Sequence, residues 1–117
     1  MKKNKLIDLT YLQEISEGNP DLINDLAEMF FQQIPEYQAQ LNAYLSKLDF
    51  YNLSRIAHKA KSAILMVGIQ GLADDLKKLE ENAKEEKNIH EYQEIIAKFV
   101  RESNIAIAEL KNYTNKE

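Results

Sequence analysis

Apolar residues recur at helical spacing along most of this chain, and very little interrupts them. Between Pro20 and about Lys47 they fall at Leu22, Leu26, Met29, Phe30, Tyr37, Leu41, Tyr44 and Leu45, with Leu48 just beyond. That is the pattern of an amphipathic helix. Only three glycines and two prolines occur in 117 residues. Turns consume both types, so a strand-and-turn fold is disfavoured and the chain reads as all-α.

The remaining segments divide into helices in the same way. "IDLTYLQEI" predicts a short first helix, with Asp8 as its N-cap and Leu9, Leu12 and Ile15 on one side. Asn19 is placed to cap the second, with Pro20 at the first helical position, where its missing N–H has no partner to lose. Pro35 removes a ladder hydrogen bond, so this run is expected to bend near Phe31 as one helix or to split into two. Asp49 caps a third helix through "FYNLSRIAHKAKSAILMV", which ends at Gly68. Gly71 lies in the next turn or at the start of a fourth helix, whose stripe is Leu72, Leu76, Leu79 and Ala83. "EEKN" closes that helix, and Asn88 followed by Glu91 resembles a capping box. The last helix uses Ile89, Tyr92, Ile96, Phe99, Ala106 and Leu110. Short connections between such helices predict an antiparallel four-helix bundle, with the short extra N-terminal helix covering one end. One domain over residues 1–117, with a short basic tail at 1–5, is the expected organisation.

Several function classes are disfavoured. A net charge of −4 without a basic face gives no footprint for nucleic acid. No cysteine is present, which removes disulfides and thiolate metal sites. No apolar run approaches the roughly 20 residues of a membrane span, and no signal-peptide core follows the first lysines, so a cytoplasmic location is expected. The two histidines are far apart, no H-E-x-x-H occurs, and the carboxylates read as solvated helix faces, so a hydrolase or metalloenzyme has little support.

The third helix holds the residues with chemical potential. At about 100° per residue, Leu53, Ala57, Ala60, Ile64 and Val67 fall in one sector, with Ile56 at its edge. His58 lies about 150° from the centre of that sector and should stand in solvent. Tyr51, Ser54, Arg55, Ser62 and Leu65 share the outward face, and Lys61 lies about 60° round from the histidine. Ser54 and Ser62, one turn to either side, leave the ring uncrowded, while Leu65 and Tyr51 offer an apolar rim to a partner. Imidazole is nucleophilic near neutral pH and can take up and release a phosphoryl group. Lys61 is close enough to reach the added charge, Ser62 could add a hydroxyl donor, and a helix interior has no free backbone N–H to help. An H-x-x-K spacing on a helix is nevertheless common, and His90 shows what an ordinary surface histidine looks like. The residues alone leave both readings open.

"AHKAKSAILMVG" resembles the signature of histidine-containing phosphotransfer (HPt) domains, the phosphoryl shuttles of bacterial phosphorelays. Ala57, His58, Lys61, Ser62 and Gly68 fill it in order. "IDLTYLQEISEGNPDLINDLAEMFFQQIPEYQAQL" is similar to the run-up in that family, and "LADDLKKLE" to the helix after the histidine, so the likeness spans roughly residues 6–110. The resemblance implies a four-helix bundle in which His58 accepts the phosphoryl group and Lys61 stabilises it. Ser62 stands where glycine is commonest but remains small, and Gly68 would end the helix. It further implies response-regulator receiver domains and a hybrid histidine kinase as partners. It implies a monomeric carrier rather than an independent enzyme, with no cofactor of its own and Mg²⁺ only in the partner. No Gly-rich nucleotide loop is present, so the chain is not read as a kinase. The rival is a helical adaptor that docks a partner through the face carrying Tyr51 and Leu65, without chemistry.

Overall fold

The computed structural model describes residues 5–114; of the basic tail, residues 1–4 lie outside them and Lys5 is exposed. Five helices follow one another: α1 (Thr10–Ser16), α2 (Pro20–Ser46), α3 (Phe50–Met66), α4 (Gln70–Glu85) and α5 (Tyr92–Thr114), the last entered through a 3₁₀ turn (Ile89–Glu91). No strand occurs among the described residues, and no helix there is long and apolar enough to cross a membrane. Helix α3 packs on α2 and α4, and α5 packs on α2 and α4, so the four long helices close into a bundle; α1 lies against α2. The core contains Phe30, Ile34, Leu41, Leu53, Ile64, Leu72, Leu76, Leu79, Ile96, Phe99 and Leu110, all fully buried, and Tyr92 at one end. The Tyr92 hydroxyl donates to the Lys87 carbonyl at 2.5 Å, which satisfies the polar end of a buried ring.

Local sequence explains most boundaries. Asn19 accepts from the N–H groups of Asp21 and Leu22, capping α2 just before Pro20. Asp49 does the same for α3 by accepting from Asn52 N. Helix α2 runs unbroken through Pro35, whose exposed position leaves the lost hydrogen bond on the solvent side, where water can replace it. Two expected caps are absent. Asp8 accepts from the Thr10 N–H and hydroxyl one residue before the Leu9 cap position, forming a local turn rather than a cap. Asn88 adopts a left-handed conformation with no capping bond, so the expected capping box does not form.

The buried stripe of α2 also differs from the expectation. Ile23, Ala27, Phe30, Ile34 and Leu41 face inward, whereas Leu22, Met29 and Leu48 are exposed. This helix is apolar on more than one side, and the positions of α3 and α5 select which side is covered. Ile15 and Ile89 likewise stand in solvent.

The segment before α1 crosses the end of the bundle and is pinned at two points. The Glu109 carboxylate accepts from the N–H groups of Leu6 and Ile7, and Asp8 N donates to Val67 O at 2.8 Å. Gly68 has φ +74 and lies directly beneath the Asp8 carbonyl, where any Cβ would collide. Its place just past the α3 cap requires a left-handed residue, and the crossing segment requires one without a side chain.

Candidate functional site

The core stripe of α3 (Leu53, Ile56, Ala57, Ala60, Ile64, with Val67 after it) is buried, and that sets the direction of the opposite face. His58 emerges from mid-helix with its side chain 58% exposed. Tyr51, Arg55, Ser62 and Leu65 are also exposed. Ser54 is not: it is only 3% exposed, and its hydroxyl donates to the Glu80 carbonyl of α4 at 3.1 Å. The expectation that Ser54 borders the ring in solvent is therefore corrected. Helix α3 lies between two neighbours, so its buried arc is wide and extends on the α4 side to within one turn of the histidine.

What organises the site is Glu80, one of the carboxylates expected on solvated helix faces. It is 8% exposed and reaches from α4 to three groups. His58 Nδ1 lies 3.1 Å from Oε2, Lys61 Nζ donates to Oε1 at 3.3 Å, and Lys84 Nζ lies 3.5 Å from Oε2. The Ser54 bond to the Glu80 main chain holds the root of this carboxylate in register with α3. Burial alone would raise the acid's pKa. The hydrogen bonds from His58 and Lys61 and the charge of Lys61 outweigh that, and Glu80 is held below its ordinary value of 4.5. An ionised carboxylate can only accept, so the hydrogen of a neutral His58 ring sits on Nδ1. Nε2 then carries the lone pair, and it meets no other group among the described residues.

A signal for Glu80 exists in the sequence. It lies four residues after Leu76 and three before Ala83, on the edge of the α4 core stripe, where a lone carboxylate requires a partner. Ser62 is exposed, and its hydroxyl donates back to the His58 carbonyl at 3.4 Å rather than toward the ring edge.

The surroundings of the ring differ from side to side. Toward α2 lies a mostly apolar groove of 310 Å³, whose lining includes Leu26, Met29, Tyr37, Ala63 and Met66. Toward α4 lies a hollow lined by Ser54, Arg55, His58, Lys59, Glu80 and Lys84, whose charged heads stand at its rim on carbon stems. Ser62 lines the apolar groove and also a second hollow beside Tyr11, Leu65 and Gly68. A small residue there leaves both uncrowded, and the first of them borders His58.

A sequence model of the Hpt domain matches residues 25–113. The chain belongs to the Hpt domain family. The crystal structure of histidine-containing phosphotransfer protein B (HptB) from Pseudomonas aeruginosa PAO1 superimposes with a TM-score of 0.86 at 24% identity, covering 98% of this chain and 99% of that one. At that identity the likeness speaks for the fold. No curated protein matches the chain. The match to the Hpt family begins within α2, so α1 and the segment that crosses Gly68 lie outside it, whereas the structural superposition takes in nearly the whole chain.

Proposed function

We propose that this Hpt protein carries a phosphoryl group on His58 Nε2 between the aspartates of response-regulator receiver domains, in a relay fed by a hybrid histidine kinase. The observation that carries the reading is the ring itself. Its Nδ1 is engaged by a buried carboxylate and its other nitrogen faces solvent, on a helix with the family's signature spacing.

The aspartyl phosphate and its Mg²⁺ ion would come with the partner. Nε2 attacks phosphorus in line, the P–O bond to the aspartate breaks, and the carboxylate leaves with the electron pair. The ring becomes a phosphoimidazolium that keeps its hydrogen on Nδ1, facing Glu80. The new positive charge thus develops against a fixed negative one, which needs no reorganisation. Lys61, held at the other oxygen of the same carboxylate, lies one turn from the ring and can turn to the phosphoryl oxygens. The reverse step passes the group to a second receiver. Positioning and charge do most of this work, and much of it belongs to the partner, so the protein acts as a carrier and not as an independent catalyst. The same reading sets the exchange in the cytoplasm, with the protein acting as a monomer.

The test is incubation with a phosphorylated receiver domain. The wild type should acquire an acid-labile, base-stable label, and His58→Gln should not. Equal labelling of His58→Gln overturns the assignment. Binding of the receiver with no label on the wild type would leave a helical adaptor that docks its partner near Tyr51 and Leu65.

A further inference from the structure

Lys61 is the ammonium that the sequence spacing points to, but it is not the one nearest the oxygen that holds the ring. His58 Nδ1 and Lys84 Nζ meet the same atom, Glu80 Oε2, at 3.1 and 3.5 Å, while Lys61 takes Oε1. One carboxylate thus faces two ammonium groups and cannot neutralise both. The hollow on this side of the ring is lined by Arg55, Lys59 and Lys84 against Glu80 alone. Such a cationic excess, in a chain of net charge −4, is a local feature and not a reflection of overall composition.

Of these cations, Lys84 is the best placed to serve an anion on the ring. The Arg55 guanidinium is engaged with the Asn52 side chain. Lys59 follows His58 directly, so it points about 100° away around α3. Lys84 rises from α4 one turn beyond Glu80, is well exposed, and is held by a single contact within its own helix, a weak tether in solvent. Its flexible stem can carry the ammonium to a new anion without a change of backbone.

We propose that Lys84 is a second phosphate-stabilising residue: when the phosphoryl group arrives on His58, Lys84 leaves Glu80 and pairs with a phosphoryl oxygen from the α4 side. The proposal rests on His58 as the acceptor. A dianionic phosphoryl group is a stronger partner than a carboxylate already shared three ways. Glu80 thereby holds both ammonium groups beside the ring in the free protein and keeps one contact, to Nδ1, in the phosphorylated one. Lys61 and Lys84 would flank the phosphoryl group from different helices, so their contributions are separable by mutation.

The experiment uses the full chain phosphorylated chemically with phosphoramidate, which needs no receiver. The ³¹P signal of phosphorylated His58 is identified by its loss in His58→Gln. A nearby cation favours the dianion, so Lys84→Gln should raise the second pKa of that phosphoryl group by about 0.3 or more. It should also shift the exchange equilibrium with a receiver toward the aspartyl phosphate by about threefold to tenfold. Lys84→Arg should restore both, the Lys61→Gln/Lys84→Gln pair should lose more than either alone, and Lys87→Gln should behave as wild type. A phosphoryl pKa and an exchange equilibrium in Lys84→Gln that match Lys87→Gln overturn the role of Lys84 and leave His58 as the carrier. Absence of any His58 signal in the wild type overturns the carrier reading and this one together.

Discussion

Replacing Glu80 by glutamine separates two roles that a carboxylate performs at once. A carboxylate accepts from His58 Nδ1 and Lys61 Nζ through its two oxygens. Glutamine has one oxygen and one NH₂ in the same shape. The Lys61 ammonium can only donate, so the amide oxygen turns to it and the NH₂ faces Nδ1. The ring is then driven to the opposite tautomer, with the hydrogen on Nε2, where the attacking lone pair is needed. Regaining the reactive tautomer requires breaking that neutral hydrogen bond, at about 0.5–1.5 kcal/mol, or a roughly twofold to tenfold slower transfer. Alanine removes the acceptor without imposing the wrong tautomer, so Glu80→Ala should slow transfer less than Glu80→Gln, although glutamine is the closer mimic. Stability should follow the reverse order. Lys61 is 20% exposed, and its contact contributes about 1–2 kcal/mol, of which glutamine keeps part; the more exposed His58 and Lys84 add little. Transfer rates with one receiver, ¹⁵N shifts of the His58 ring and denaturant unfolding measure all three. Faster transfer by Glu80→Gln than by Glu80→Ala, or an unchanged ring tautomer in Glu80→Gln, would refute the reasoning. The pH dependence gives a further check. Because folding depresses the Glu80 pKa, its contribution to stability is present above its ordinary value of 4.5 and lost as pH falls through the lower, folded value. Glu80→Gln should remove that part of the acid limb.

Two other substitutions test the frame around the site. Gly68→Ala places a Cβ against the Asp8 carbonyl at positive φ and should destabilise by about 2–4 kcal/mol, whereas Gly71→Ala, with open space in the first turn of α4, should be neutral or slightly stabilising. Equal midpoints for the two variants in denaturant would contradict the crossing geometry. Met29→Asp puts a charge in the apolar groove beside His58, where Met29 is 50% exposed. It should raise the KM for a phosphorylated receiver about tenfold, from roughly 1–1.5 kcal/mol of lost apolar contact, while chemical labelling of His58 is unaffected. An unaltered KM would exclude the groove from docking.

Local periodicity placed the helices and the outward direction of His58, and capping chemistry marked the starts of α2 and α3 but not of α1 or of the turn into α5. The 3.6-residue repeat in α3 and α4 is strict, and Asn19 and Asp49 act on N–H groups only a few residues away. Such features depend on neighbours in sequence and are legible there. Which side of α2 is buried, and that Ser54 is covered while Ser62 is not, depended on where the other helices lie, because α3 is flanked by two of them and α2 is apolar on more than one side. The decisive electrostatic partner of the histidine, Glu80, is 22 residues away on a different helix. Only packing α3 against α4 brings that carboxylate under the ring, and a tautomer set across a helix interface has no signature in the spacing of either helix alone.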